Sequence, residues 1–239
     1  MADLVDHTAP PCAEPVVFYQ TAAGPFYEKM LAATEKLHRD YCEANGLDHV
    51  SFLGVRRGYY PWQATFNRIE YLHDLLEEGF GGWFVYLDAD AVVCQPGFDL
   101  RRYLGKRKDC ALIAAPGGQE KWNVNAGVFF LNLGHECGRE IAARWHGAFH
   151  RAVTLEMLRE AAEPWQPLAD GREFLDDQHL LQMELMREPR FTDATLIEAG
   201  GLINLETGRF IRQFLRTTGS AAERLAAIQA TVESLAFAS

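Results

Sequence analysis

Residues 83–93 read Trp83-Phe84-Val85-Tyr86-Leu87-Asp88-Ala89-Asp90-Ala91-Val92-Val93. Five apolar or aromatic residues run straight into two aspartates spaced i, i+2. The run has the length and the β-branched, aromatic flavour of a strand buried on both faces. Such a strand cannot hold two unpaired carboxylates along its length, because charge in an apolar core is very costly. The pair is therefore expected at the strand's carboxyl end, where the sheet opens to solvent and where open α/β sheets place their ligands. Two neighbouring oxygen ligands suit Mg²⁺ or Mn²⁺, ions commonly shared with substrate phosphates. The plainer alternative is a strand that ends in a polar turn.

Upstream of this stretch, Val16-Val17-Phe18-Tyr19 is a buried strand, followed by a loop at Gln20–Gly24. Pro25 suits the first turn of a helix striped by Leu31, Leu37 and Tyr41 and stopped at Asn45-Gly46. A second strand spans His49–Val55, so the chain opens β-α-β, the unit of a parallel sheet. Pro61 opens another helix, with Trp62, Phe66, Ile69, Leu72 and Leu76 on its buried stripe. Arg68 lies at the margin of that stripe, placed either to reach a site or to extend to water.

Downstream, Leu100–Leu104 reads as a short helix and Cys110–Ala115 as a strand. A further strand runs through Asn123–Asn132, entered by a polar, Gly-containing edge. There Gly127 either lets a ligand approach the backbone or marks a bulge. Ile141, Trp145, Phe149 and Ala152 stripe a helix, and a loop covers Pro164–Gly171. Asp176-Asp177-Gln178-His179 opens another helix; N-capping and the helix dipole account for the two acids but not for Gln178 or His179. Thr195-Leu196-Ile197 is a strand, followed by a Gly200-Gly201 turn. Arg209, Arg212 and Arg216 recur at i, i+3, i+7, and Leu225, Ile228, Val232 and Leu235 stripe a final helix.

The 239 residues, 48% hydrophobic, are ample for one core. A net charge of −10 gives no general electrostatic grip on nucleic acid or anionic membrane. No apolar run reaches a transmembrane length. Cys12, Cys42, Cys94, Cys110 and Cys137 show no CxxC spacing and read as reduced packing residues, so the expected compartment is cytoplasmic. The expectation is an α/β single domain over residues 16–239 behind a loose tail at residues 1–15.

Four signals stand in one order: a β-α-β start, Asp88-Ala89-Asp90 closing a strand, Asn125-Ala126-Gly127-Val128 on a later strand, and Asp176-Asp177-Gln178 opening a helix. That set resembles glycosyltransferases of the GT-A fold. The nearest likeness is to retaining galactosyl/xylosyl-type transferases, and a more distant one is to the glycogenin-like group, over roughly residues 16–205. The resemblance implies a mostly parallel sheet flanked by helices, a UDP-linked nucleotide-sugar donor, a glycan or other hydroxyl acceptor, transfer with retention, and Mn²⁺ or Mg²⁺. It places Asp88 and Asp90 on the metal, with Ala89 between them at the donor. Tyr19, Gln20 and Thr21 fall beside the nucleotide base, and Arg68 near the phosphates and sugar. Asn125, Ala126 and Gly127 line the sugar pocket, while Asp176, Asp177 and Gln178 sit beside the anomeric carbon. The family's third metal ligand, a His near the C-terminus, has no counterpart, since the last His is His179. Arg209, Arg212 or Arg216 either takes over part of that charge neutralisation or forms a solvated helix face. Two rivals are a haloacid-dehalogenase-type phosphatase with Asp88 as nucleophile and a non-catalytic nucleotide- or glycan-binding module of the same fold. The phosphatase motif normally sits on a domain's first strand, whereas here a β-α-β-α segment precedes it.

Overall fold

The structure, a computed structural model, describes residues 10–164, 168, 171, 174–198 and 201–236. The first nine residues of the expected tail, Trp165, Gln166, Pro167, Asp170 and Gly200 lie outside the described residues.

The chain runs β1 (Val16–Ala22), α1 (Pro25–Ala44) and β2 (Asp48–Leu53), then a 3₁₀ turn at Pro61–Phe66 leading into α2 (Asn67–Glu77). Next come β3 (Trp83–Asp88), β4 (Ala91–Val93), α3 (Leu100–Gly105), β5 (Leu112–Pro116) and β6 (Val124–Asn132). The second half holds α4 (Glu136–Ala152), α5 (Leu155–Glu160), α6 (Asp177–Arg187), α7 (Pro189–Asp193), β7 (Thr195–Ile197), β8 (Ile211–Gln213) and α8 (Ala221–Ala236). Six strands form one sheet in the order β2-β1-β3-β6-β5-β7. Within it only β6 runs against the others, pairing antiparallel with both β3 and β5. The architecture is thus an α/β fold with a mostly parallel central sheet flanked by helices.

The continuous apolar run in β3 follows from burial on both faces. Phe84 and Tyr86 pack on one side with Ile69 and Leu72 of α2 and Trp145 and Phe149 of α4. Val85 and Leu87 pack on the other with Tyr41 of α1, Phe98 and Phe210. Side chains alternate along a strand, so Asp88 shares the face of Tyr86, between the sheet and the first turns of α2 and α6. That parity aims the first acid of the pair at the functional cleft.

Several boundaries differ from expectation. β1 continues through Ala22, so Gln20 and Thr21 are strand residues and not loop. The segment Asp88–Val93 is not one strand: the chain turns at Ala89-Asp90, and β4 leaves to pair with β8 in a separate two-stranded sheet. Arg209, Arg212 and Arg216 lie on no common helix. Arg212 is in β8, opposite Val92, and Arg216 opens a 3₁₀ turn. Residues 10–15 are tied down, not loose: Cys12 N–H donates to Arg101 O (2.9 Å) and Trp83 N–H to Pro15 O (2.8 Å). All five cysteines are free, and among the described residues no helix is long and apolar enough to cross a membrane.

Candidate functional site

The carboxyl ends of β1 and β3, the irregular start of β6 and the first turns of α2 and α6 surround a cleft of ≈ 440 Å³. Thr21, Arg68, Asp88, Ala89, Asp90, Asn125, Ala126, Gly127, Asp176, Asp177 and Gln178 all line it. Five stretches that lie far apart in sequence therefore meet in one cavity.

Arg68 is its hub. Its side chain is only 4% exposed, and its guanidinium stacks 3.9 Å from the centre of the Tyr86 ring. Nη2 donates to Asp88 Oδ1 (2.8 Å), Nη1 lies 3.3 Å from Asp177 Oδ2, and Nη1 also donates to Ala126 O. The residue at the margin of the α2 stripe thus turns inward. Two carboxylates hold its cation despite burial and raise its pKa above the ordinary value. Asp177 is buried as well and accepts from Thr65 Oγ1 (2.6 Å). Burial raises its pKa, against the pull of Arg68.

The two acids of the pair have separate surroundings. Asp88 keeps 31% of its side chain exposed and accepts from Tyr86 Oη (2.8 Å). Asp90 is 5% exposed, because β8 and α8 fold over it; the sequence had placed both acids at an opening to solvent. Arg224 of α8 donates to Asp90 Oδ2. Burial and the Asp88 charge push the Asp90 carboxyl up to about 7, against Gln213 and Arg224, which pull it down.

Gln213 of β8 stands between the two acids. Its Nε2 donates to Asp88 Oδ2 and to Asp90 Oδ1, each at 3.0 Å, while its buried Oε1 has no hydrogen-bond partner. An unsatisfied buried oxygen beside two carboxylates completes an oxygen-only donor set. Turning the amide about its terminal bond would present Oε1 where the N–H groups now point. Such a set suits a hard divalent cation.

Gly127 lies at a bulge, the second of the two readings given to it. β6 is irregular here, its pairing with β5 jumping between Ala114↔Phe129 and Ala115↔Asn125. A Cβ on Gly127 would lie 2.6 Å from the Gln213 amide atoms and 2.9 Å from Asp88 Oδ2. The bare backbone makes room for the acid–amide cluster. Asn125 Oδ1 accepts from Gly127 N–H (2.8 Å) and Gln178 Oε1 from Ala126 N–H (2.9 Å), which pins this strand edge to α6. Asp176 serves as the N-cap of α6, accepting from His179 N–H at 2.8 Å and sitting 2.9 Å from His179 Nδ1.

Tyr19 and Gln20 do not line the cleft. Tyr19 is buried among Tyr71, Phe84 and Tyr86. Gln20 accepts from His38 Nδ1 and donates to Asp88 O (3.3 Å), supporting the strand end from behind. His38 is fully buried and pushed down to about 3. It accepts from Val93 N–H through Nε2 (3.1 Å), so its proton sits on Nδ1. Sequence reasoning missed Tyr27, Thr65, Tyr86, Gln213 and Arg224. One signal pointed to Arg224: it sits four residues before Ile228, on the buried stripe of α8, where a charge requires a partner.

Neither a family model nor a curated protein matches the chain. Among solved structures it resembles a glycosyltransferase involved in the glycosylation of the major capsid of PBCV-1. That superposition has a TM-score of 0.61 at 17% identity and covers 92% of this chain and 100% of that one. A second likeness, to a protein from STIV, has a TM-score of 0.36 at 14% identity over 70% and 76% of the two chains and carries no argument. The first establishes a glycosyltransferase-like fold.

Proposed function

We propose that the protein is a metal-dependent glycosyltransferase that moves a sugar from a nucleotide-sugar donor, UDP-linked, to a hydroxyl acceptor. The observation that carries this reading is the convergence of Asp88, Asp90 and the unpartnered Gln213 Oε1 at the mouth of the sheet, in a fold shared with a glycosyltransferase. Three carboxylates (Asp88, Asp90, Asp177) face two guanidiniums (Arg68, Arg224).

Asp88, Asp90 and Gln213 would hold Mn²⁺ or Mg²⁺. Bound there, the ion supplies Lewis-acid neutralisation of a diphosphate leaving group. The protein's own groups do the rest. Arg68 is fixed on four sides and brings a preorganised positive charge to the phosphates, with no reorganisation cost at the moment of reaction. Asn125, Ala126 and Gly127 form the floor for the sugar. Asp177 and Gln178 are assigned to the anomeric carbon, where they steady developing positive charge. Retention is the stereochemical course carried over from the resemblance. Trp62, packed edge-on to Phe174 at 5.3 Å, gives the Asp177 end an aromatic wall suited to an acceptor.

Less supports the phosphatase reading. Asp88 is held by Arg68, Tyr86 and Gln213 at once, which blunts a nucleophile. The test is a thermal-shift screen of nucleotide sugars with and without Mn²⁺, since a ligand that binds only the folded state raises Tm by mass action. A rise that needs both components supports the proposal; no rise with any nucleotide sugar rejects it.

A further inference from the structure

On the outer side of the α2–α4 pair, away from the cleft, lies a second group of ligand-type side chains. Glu70 of α2 faces His146 and His150 of α4, and their ligand atoms all lie within 4.8 Å of one another. His150 Nε2 is 2.9 Å from Glu70 Oε1, and His146 Nε2 is 3.8 Å from Glu70 Oε2. We infer that Glu70, His146 and His150 form a zinc-binding site that ties α2 to α4.

The spacing of the residues carries the geometry. Two histidines at i, i+4 project from one face of a helix, the arrangement by which helices present paired imidazoles to zinc. A tetrahedral ion with bonds of about 2.0–2.1 Å needs donor atoms about 3.3 Å apart. The spacings of 2.9 and 3.8 Å, to the two oxygens of Glu70, bracket that value, so small side-chain rotations close the triad. Two nitrogens and one carboxylate oxygen suit Zn²⁺ and disfavour Mg²⁺. Three protein ligands leave the fourth position to solvent, on the side where His150 is 36% exposed.

The surroundings fit a ligand role. Burial, His73 and His150 lower the pKa of His146, and Arg57 adds to the same direction while Glu70 opposes it. A neutral imidazole is the form that binds metal. The His73 ring stacks on His146 at 3.9 Å and 9°, which fixes the orientation of that ligand. Arg57 is the opposing charge; it is drawn aside by Val153 O (3.3 Å) and lies over the Phe149 ring. The chain also gives the site a route to function. α2 carries Arg68 in its first turn, and α4 holds the Asp177 carbonyl through Trp145 Nε1 (2.9 Å). A zinc clamp would therefore stiffen the frame between the two groups that flank the proposed sugar.

The experiment uses the full chain, stripped of metal by a chelator and titrated with Zn²⁺ by calorimetry in excess Mg²⁺. The Mg²⁺ occupies the oxygen set in the cleft but not an imidazole site. Bound zinc is counted by elemental analysis after gel filtration. One zinc per chain is expected, with affinity reduced at least about tenfold in His146→Gln and in His150→Gln. His150 is exposed, so its variant keeps the fold and carries the test alone if His146→Gln does not. Co²⁺ in place of Zn²⁺ should give the visible bands of a tetrahedral site in the wild type and lose them in His150→Gln. Absence of retained zinc, or wild-type affinity in His150→Gln, overturns the assignment. Either result leaves the glycosyltransferase proposal standing, because none of the three residues lines the cleft.

Discussion

Deleting the Arg224 guanidinium exposes Asp90 to the full cost of its burial. Both groups are nearly inaccessible, with side chains 4% and 7% exposed. Arg224→Met keeps most of the aliphatic stem and removes the charge. Arg224 lowers the native pKa of Asp90, so its loss raises a carboxyl that already titrates at about 7. The native variant then keeps a proton that the unfolded chain has released, and stability falls as pH rises. The extra loss begins near pH 7 and grows by about 1.4 kcal/mol per pH unit until the variant's own pKa is passed. If the variant's carboxyl is still protonated at pH 9, the loss there reaches about 3 kcal/mol, the lower end of the ~3–5 kcal/mol typical of breaking a buried ion pair. For a chain of this size that corresponds to roughly 6–12 °C in Tm. At pH 6 the electrostatic part is absent, and the lost hydrogen bonds to Asp90 Oδ2, Phe214 O and Tyr27 Oη remain. Urea unfolding of wild type, Arg224→Met, Asp90→Asn and the double variant at pH 6 and 9 measures this. In the Asp90→Asn background the difference between the two pH values should vanish. An Arg224→Met penalty equal at both pH values, or one that keeps its pH dependence without Asp90, refutes the reasoning.

Gly127→Ala should cost about 1–3 kcal/mol by overpacking and weaken donor binding, because the new methyl displaces the Gln213 amide from between the acids; an unfolding curve and a donor titration read the two effects. Gln213→Leu should lower Mn²⁺ affinity at least about tenfold while leaving the chain folded; unchanged affinity in a Mn²⁺ titration removes Gln213 from the oxygen set. Asp177→Asn should leave donor binding largely intact and slow transfer by about 10²-fold or more, the scale of losing one transition-state electrostatic contact. Calorimetry beside turnover separates binding from chemistry, and a variant that instead fails to bind donor moves Asp177 to the phosphate end.

The parts of the fold that could be read from sequence are those whose signal is local. β3 announces itself by a two-faced apolar run, and α1 and α2 by proline starts and periodic stripes. The cleft follows from three short polar segments, each placed at an element's end: Asp88-Ala89-Asp90, Asn125-Ala126-Gly127 and Asp177-Gln178. What stayed hidden is carried by pairing across long distances. Gln213 and Arg224 reach Asp90 from 123 and 134 residues away, one from a three-residue strand too short to show a pattern. The arginines at 209, 212 and 216 mimic a helical repeat by spacing alone, whereas Arg212 lies in the strand Ile211–Gln213 paired with β4 and Arg216 opens a 3₁₀ turn. Tyr19 and Gln20 sat beside the right loop but on the wrong side of its start. β1 runs on to Ala22, which leaves Tyr19 in the core and Gln20 behind Asp88.

Release of free nucleotide from nucleotide sugars tests the central claim most directly. The purified chain is incubated with a panel of donors, with Mn²⁺ or with chelator, and released UDP is quantified beside phosphate release from simple phosphomonoesters. Mn²⁺-dependent UDP release from at least one UDP-sugar is expected, lost in Asp90→Asn, with no phosphomonoester hydrolysis. Phosphate release from phosphomonoesters with every nucleotide sugar left intact would contradict that claim and put Asp88 in the nucleophile's role.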